Sequence, residues 1–341
     1  MRVIVFAFAL AVSGLAQPAG SPAYRTGMKL GDFRLHDPWI LPYQETKTYY
    51  LYTAGAVQQD GRFRSAVFAY KSKDLETWEG PQTVFTVPDG LWANPTHGVW
   101  APEVHLYRGK FYLFATLHNN DKPIGPPEDR VMSGGRLWSQ HARGTQIFVG
   151  ESPEGPFQPL ENRPVAPEDF MTLDGTLYVE DDIPYMVYAH EWVQMLDGTM
   201  EAVQLKPDLS ASVGEPFYLF KGSDAPWLRD QQKVSNKRRT YVTDGPELYK
   251  TKTGKLLMIW SSYRDGLYVE TIAHSITGKI RGPWQQDDVL VGNDSGHGML
   301  FRAFDGRLML VLHQPFRNAH GKLFEIEDTG DTLRIKRQLV Y

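Results

Sequence analysis

The sequence reads Gly245-Pro246-Glu247-Leu248, turns at Thr253-Gly254-Lys255 and continues as Leu256-Leu257-Met258-Ile259-Trp260. This unit has a short polar start, an apolar strand, a tight hairpin turn and a second strand of large apolar residues. The same plan occurs five times along the chain. The other four copies are His36-Asp37-Pro38-Trp39-Ile40 to Tyr49-Tyr50-Leu51-Tyr52, Ala101-Pro102-Glu103-Val104 to Phe111-Tyr112-Leu113-Phe114, Leu173-Asp174-Gly175-Thr176-Leu177 to Tyr185-Met186-Val187-Tyr188, and His297-Gly298-Met299-Leu300 to Leu308-Met309-Leu310-Val311.

A second, more polar hairpin follows each unit, with related loops such as Ser72-Lys73-Asp74-Leu75 and Ser152-Pro153-Glu154-Gly155. Two hairpins make a four-stranded antiparallel sheet, and five such sheets predict an all-β, five-bladed β-propeller. The rival architecture is a two-sheet sandwich, which would not explain five matching units. No stretch shows a sustained 3.6-residue apolar period, so helices should be few. We expect a single propeller domain over residues 31–341, preceded by a lead segment over residues 17–30.

The first sixteen residues have the features of a secretory signal. Arg2 gives a positive start, residues 3–12 are apolar, and small residues lie before Gln17. The apolar run is too short to span a bilayer, and no later run approaches the roughly 18 apolar residues that a membrane helix needs. The sequence therefore predicts a secreted or periplasmic protein with no membrane anchor.

The amino-acid composition limits the classes of molecule that the protein can bind. The net charge is −4, with both signs spread along the chain, whereas a nucleic-acid binder would need a basic face. The chain has no cysteine, so no disulfide can stabilise it after export. We expect a monomer that folds by packing alone and binds no nucleic acid.

Propeller topology places certain residues together. The first strand of each blade lines the central axis, and all five first strands start on the same face. Asp37, Asp174 and Glu247 lie at such starts, in blades one, three and four. The topology therefore predicts that these three carboxyl groups converge on an active site at one end of the axis.

Burying a carboxyl group among apolar first strands costs free energy unless the group is paired or has a role in function. Hydrolysis of a sugar acetal needs one carboxylic acid to protonate the leaving oxygen and one carboxylate to activate water. A third carboxylate can raise the pKa of the acid by like-charge repulsion. Glu103 competes with Glu247 for the role of acid, because Pro102-Glu103 aligns with Pro246-Glu247. We interpret Glu103 as a structural partner near the pocket wall.

From about Asp32 to its end, the sequence resembles glycoside hydrolase family 43. Each motif alone is weak evidence for the family, but the order of the motifs and their positions in the five repeated units are specific. The residues that carry the resemblance are His36-Asp37-Pro38, Trp100-Ala101-Pro102-Glu103-Val104, Leu173-Asp174-Gly175-Thr176-Leu177, Asp244-Gly245-Pro246-Glu247, Trp260-Ser261-Ser262-Tyr263 and Gly296-His297-Gly298.

The resemblance implies an inverting hydrolase with Asp37 as base, Asp174 as pKa modulator and Glu247 as acid. Gly175 departs from the family pattern, in which Pro often follows the blade-three Asp, but glycine also permits a tight strand start. The resemblance further implies a calcium ion on the axis, contacted by His297 and otherwise largely by water. A lone histidine is also often a hydrogen-bonded core residue, and calcium prefers oxygen ligands.

Family members act on α-L-arabinofuranosides, β-xylosides, arabinans and sometimes galactans. We expect removal of α-L-arabinofuranosyl residues from an oligosaccharide or polysaccharide, because no C-terminal sandwich of the xylosidase type follows blade five. The alternatives are a β-xylosidase, an endo-arabinanase or galactan-acting hydrolase, and a non-catalytic sugar-binding propeller. Trp39 and Trp100 are candidate sugar-stacking platforms, although each could instead pack between blades. His190 and Arg264 are candidates to bond sugar hydroxyls.

Overall fold

A computed structural model describes residues 22–59, 61–126, 130–133, 136–228 and 239–340. Its strands form five main antiparallel sheets, each built from two consecutive hairpins. The predicted all-β, five-bladed β-propeller is thereby confirmed. The predicted signal over residues 1–16 lies outside the described residues. In the described part of the chain, no helix is long and apolar enough to cross a membrane.

The blades follow the chain in order, and each contributes four strands from the axis outward. Blade one contains Trp39–Tyr43, Thr48–Gln59, Arg62–Ser72 and Trp78–Thr86; blade two contains Val99–Tyr107, Lys110–Pro123, His141–Gly150 and Gln158–Pro159; blade three contains Thr172–Glu180, Ile183–His190, Thr199–Leu205 and Ser212–Lys221; blade four contains Asp244–Lys250, Leu256–Arg264, Leu267–Ser275 and Trp284–Val291; blade five contains Gly296–Arg302, Leu308–Gln314, His320–Asp328 and Leu333–Leu339.

A few elements lie outside this plan. The strand Arg25–Met28 pairs with the outer strand of blade one, so part of the predicted lead segment belongs to the sheet. Val131–Ser133 and Arg136–Trp138 form a small hairpin of their own within the second blade's connecting loop. The described helices are one α-helical turn, Trp192–Met195, and the short 3-10 turns Leu30–Asp32 and Gly222–Asp224.

The starts of the five first strands share a backbone feature. At the equivalent position of every blade, one residue adopts the left-handed conformation with positive φ, which residues other than glycine rarely do. These residues are Asp37 (48°), Ala101 (40°), Asp174 (56°), Gly245 (52°) and His297 (51°). In blades two to five the strand register also shifts at this point, as in a β-bulge. The five-fold repeat in the sequence is therefore also a repeat of one local conformation.

The first strands of neighbouring blades contact one another all the way round, so the ring is closed. Apolar clusters fill the spaces between blades, and the largest joins blades one, two and five. At the seam between the first and last blades, Leu35 N–H donates to the Ala319 carbonyl over 2.9 Å. The Leu35 side chain is buried and fits over Gly321, where an added Cβ would lie 2.5 Å from Leu35 Cδ2. Side-chain packing and isolated hydrogen bonds thus close the ring.

Leu35→Ala should leave a cavity in this seam and lower the free energy of unfolding by about 2–4 kcal/mol. Urea unfolding followed by tryptophan fluorescence measures the change. The matched control is Leu106→Ala, since Leu106 is 48% exposed and its loss should cost less than about 0.5 kcal/mol. Equal stabilities for the two variants would show that the seam does not depend on Leu35.

Candidate active site

A narrow cavity opens on the axis at the starts of the first strands. Its lining combines three carboxyl groups with one histidine, one tryptophan, and glycine and apolar residues. The lining residues are Asp37, Pro38, Trp39, Ala101, Glu103, Gly245, Pro246, Glu247, His297, Gly298 and Met299. The structure therefore brings Asp37 and Glu247 to one cavity, as the topology predicted, whereas the third carboxyl group in the lining is that of Glu103 rather than that of Asp174.

Three histidines surround the carboxylate of Asp37. Its Oδ1 lies 2.9 Å from His36 Nδ1, 3.2 Å from His297 Nδ1 and 3.4 Å from His313 Nδ1. The backbone N–H of Asp37 also donates to His313 Nδ1 over 3.2 Å. Blade one thus supplies the carboxylate, and blade five supplies two of the imidazoles that face it.

The charge state of this cluster follows from its contacts. Burial alone would raise the pKa of Asp37, but the neighbouring His297 and His36 outweigh it and hold that pKa well below the usual range. Burial likewise opposes a charge on His36, yet the Asp37 carboxylate and the Phe316 carbonyl raise the pKa of His36 to about 9. His36 Nε2 lies 3.2 Å from that carbonyl, so both ring nitrogens face acceptors. Asp37 is therefore an ionised carboxylate beside an imidazolium.

Glu247 has the opposite environment. Burial raises its pKa well above the usual range, and the nearby carboxyl groups of Glu103 and Glu270 add to the effect. The backbone N–H of Leu300 donates to Glu247 Oε2, which opposes the shift without reversing it. Glu247 is therefore a protonated acid near neutral pH.

Glu103 lines the same cavity and is also protonated near neutral pH. Burial raises its pKa to about 8. Its Oε2 lies 2.8 Å from His105 Nε2, and burial lowers the pKa of His105 to about 3. A protonated Glu103 thus faces a neutral imidazole that can accept its proton, as a hydrogen-bonded wall residue would.

Asp174 lies beside the cavity, buried between blades three and four. Its Oδ2 accepts the Gly245 N–H over 3.0 Å and lies 3.7 Å from His297 Nδ1. Burial and the charge of Asp37 raise the pKa of Asp174 well above the usual range. Asp174 therefore connects the Asp37 cluster to the strand start that carries Glu247.

His297 is the predicted calcium contact, and its surroundings allow a test of that prediction. Its Nδ1 faces the carboxylates of Asp37 and Asp174, and among the described residues His36, Asp37 and His313 form a nearby group that could hold a metal. Calcium takes about six to eight oxygen ligands, so this nitrogen-rich set does not by itself fit calcium. An axial calcium ion stays a prediction.

The two predicted stacking tryptophans differ in exposure. Trp39 is only 8% exposed, its indole N–H donates to the Val104 carbonyl over 3.0 Å, and its ring packs against His105. Trp100 is 37% exposed at the start of blade two. Trp39 thus fills the space between blades one and two, whereas Trp100 can present its ring to a ligand.

The two residues predicted to bond hydroxyls make protein contacts instead. His190 is buried, with Nδ1 3.1 Å from Glu201 Oε1 and Nε2 2.8 Å from Gln194 Oε1. Arg264 is partly exposed and pairs with Asp288 at 3.1 Å on the outer part of blade four. Binding roles for both residues stay predictions.

Sequence reasoning did not single out several residues that shape the site. His36 and Asp244 were noted only as parts of motifs, yet His36 contacts Asp37, and half-buried Asp244 accepts the Tyr268 hydroxyl at 3.0 Å. His313 and Glu270 lie within second and third strands. Their positions carry no sequence signal of their own, because the chain brings them to the axis from blades five and four.

An ionised carboxylate and a protonated carboxylic acid lining one axial cavity define the class of site that cleaves glycosidic bonds. Comparisons with known proteins agree with this class. Residues 30–337 match the family described as glycosyl hydrolases family 43. The chain therefore belongs to glycoside hydrolase family 43. A comparison with curated protein sequences finds no significant match.

Solved structures of the same fold act on several sugars. An endo-arabinase from Bacteroides thetaiotaomicron VPI-5482 is 35% identical, with 90% of this chain and 100% of that chain covered and a TM-score of 0.76. An α-L-arabinofuranosidase from Lactobacillus brevis is 15% identical, with 91% and 100% covered and a TM-score of 0.64. An endo-1,4-β-xylanase from Bacteroides thetaiotaomicron VPI-5482 is 20% identical, with 90% and 98% covered and a TM-score of 0.63. The last two likenesses support the fold alone.

His36 should stay protonated at pH 7.5 and titrate near pH 9, whereas His105 and His313 should stay neutral down to about pH 5. Because folding raises the pKa of His36, its contribution to stability is present below about pH 6.5 and is lost as the pH rises through about 9. NMR titration of the histidine ring protons measures these values. Titration of His36 at an unperturbed value near 6.5 would contradict the described contact with Asp37.

Proposed function

We propose that this chain is an inverting hydrolase of α-L-arabinofuranosyl linkages, with Asp37 as general base and Glu247 as general acid. The observation that carries the proposal is that both groups line one cavity while their surroundings shift their pKa values in opposite directions. Such a divergence assigns one carboxyl group to each role. A purely sugar-binding propeller would not need it.

In the proposed reaction, Asp37 takes a proton from a water molecule, and the oxygen of that water attacks the anomeric carbon. Glu247 gives its proton to the glycosidic oxygen as the bond to the anomeric carbon breaks. The products are a sugar of inverted configuration and a free hydroxyl on the leaving chain. Proton exchange with solvent then returns Asp37 to the carboxylate and Glu247 to the carboxylic acid.

Asp174 is proposed as the pKa modulator. Its Oδ2 accepts the N–H of Gly245, two residues before Glu247, so its position acts on the strand start that carries the acid. Burial is the main cause of the raised pKa of Glu247, and the carboxyl groups that add to it are those of Glu103 and Glu270. We therefore expect Asp174 to act together with these carboxyl groups.

Two modes of cleavage at arabinofuranosyl linkages are candidates. Sequence reasoning favours release of terminal α-L-arabinofuranosyl residues. The 35% identity to an endo-arabinase supports cleavage within an arabinan chain as a second candidate. Action on β-xylosides or galactans remains the alternative. The signal-like residues 1–16 support action outside the cytoplasm. The proposed substrate is a plant-type polysaccharide, and the proposed enzyme is a monomer without a membrane anchor.

A substrate panel tests the proposal. Nitrophenyl arabinofuranoside, xyloside and galactofuranoside, together with linear arabinan, should show hydrolysis of the arabinose compounds first. Reducing-end release from arabinan with little free arabinose would favour the endo form. Asp37→Asn is the control for contaminating activity and should lose at least about a thousand-fold in rate while keeping the fold. Hydrolysis of xylosides alone would overturn the arabinofuranosyl assignment.

Glu247→Gln and Glu103→Gln form a matched pair that separates acid from wall residue. Glu247→Gln should reduce the rate on substrates with poor leaving groups by about 100-fold or more, and far less on activated phenols, because only the former need protonation. Glu103→Gln should stay within about ten-fold of wild type on both, since an amide N–H can replace the proton donated to His105. Kinetics on arabinan and on a dinitrophenyl arabinofuranoside measure both. The reverse pattern would make Glu103 the acid.

A further inference from the structure

One exposed aromatic ring next to the cavity has an unusual support. Trp100 directly precedes Ala101, which lines the cavity, and is 37% exposed. The guanidinium carbon of Arg143 lies 4.5 Å from the centre of its ring. The His118 ring meets it edge-on at 4.2 Å. A cation at this distance lies over one face of an aromatic ring, so that face is covered and the exposed area belongs to the rest of the indole.

Arg143 is itself fixed in place. It is 3% exposed, its Nη1 donates to the Glu191 carboxylate and its Nε donates to His118 Nδ1 over 3.0 Å. Burial and the charge of Arg143 hold the pKa of His118 well below its usual range, so the imidazole is neutral and can accept this bond. Nη2 lies 3.3 Å from His141 Nε2. All three guanidinium nitrogens therefore have partners.

The ion pair joins two blades on the face that carries the cavity. Arg143 belongs to the third strand of blade two, and Glu191 follows the second strand of blade three. Trp192 comes directly after Glu191 and packs edge-on against Trp138 at 5.9 Å. The Arg143–Glu191 pair thus joins the support of the Trp100 ring to the segment that carries Trp192. Trp100 lies next to the cavity lining rather than in it, so its ring suits a sugar beside the reacting one.

A buried ion pair is a poor device for stability, because desolvation of the two charges offsets most of their attraction. A rigid support for a binding surface is a better reason for its presence, since preorganised side chains lose less entropy when a ligand binds. We propose that Trp100 forms the floor of a sugar subsite flanking the reacting sugar, and that Arg143, fixed by Glu191, is the positioning residue that holds this floor.

The proposal rests on the proposed arabinofuranosyl activity and adds a ligand, a neighbouring sugar of the same chain. The test compares kcat/KM for linear arabinohexaose with kcat/KM for nitrophenyl arabinofuranoside, which lacks the neighbouring sugar. Trp100→Ala should lower the ratio of these two values about ten-fold, mainly through KM for the long substrate. Arg143→Lys keeps the charge but loses the planar fork and should lower the ratio about three- to ten-fold.

A double-mutant cycle separates positioning from general damage. If Arg143 acts through Trp100, the double variant Trp100→Ala/Arg143→Lys should match Trp100→Ala within about two-fold. Arg281→Lys is the matched control, because Arg281 lies 3.9 Å over the Phe217 ring in the outer part of the fold, and its change should not move the ratio. Additive losses, or equal losses on both substrates, would overturn the positioning role.

A second variant covers the case in which Arg143→Lys does not fold. Arg143→Gln/Glu191→Gln replaces the ion pair with two neutral amides and leaves no buried charge unpaired. It should lower the ratio as Arg143→Lys does, and an unchanged ratio in the folded protein would contradict the proposal. Wild-type enzyme that cleaves neither arabinose substrate would instead refute the proposed function, so the two failures are distinguishable.

Discussion

The left-handed start of each first strand is the constraint on which the site depends. One backbone conformation, repeated in five blades, turns five equivalent positions toward the same end of the axis. Two of these positions are aspartates, one is a histidine, and two are the small residues Ala101 and Gly245. Non-glycine residues in this conformation are uncommon and persist where the surroundings determine them, often at functional sites. The repeat thus provides geometry, and the residue chosen in each blade provides chemistry.

Burial then gives the carboxyl groups different chemical states. Asp37 faces histidines and stays ionised, whereas Glu247 faces apolar groups and other acids and stays protonated. A charge on the axis is costly unless it is compensated, and for Asp37 the blade-five His297 and the protonated His36 provide that compensation. The carboxyl groups of the cavity therefore differ in charge state because different blades lie beside them. Closure of the ring between blades one and five brings blade-five histidines to Asp37 and so helps to form the active site.

The sequence could predict the blades, because turn residues and apolar strands recur locally. It could also predict that Asp37, Asp174 and Glu247 converge, because topology fixes where first strands start. It could not predict contacts across the ring: Asp37 meets His313 from 276 residues away in the sequence. Nor could it separate Trp39 from Trp100, since both lie next to the start of a first strand and only the surrounding side chains decide which ring is buried. The sequence made His190 a candidate to bond sugar hydroxyls, but Glu201 and Gln194 bond both of its ring nitrogens.

The family and the axial cavity place the chain among glycoside hydrolases, and the division of labour between Asp37 and Glu247 is the central proposal. The stereochemistry of the first-formed product tests it most directly. Proton NMR during early hydrolysis of an arabinofuranoside should show the anomer opposite to that of the substrate, because a water activated by Asp37 attacks from the side away from the bond that Glu247 protonates. First appearance of the retained anomer, or a trapped covalent glycosyl-enzyme, would contradict the account.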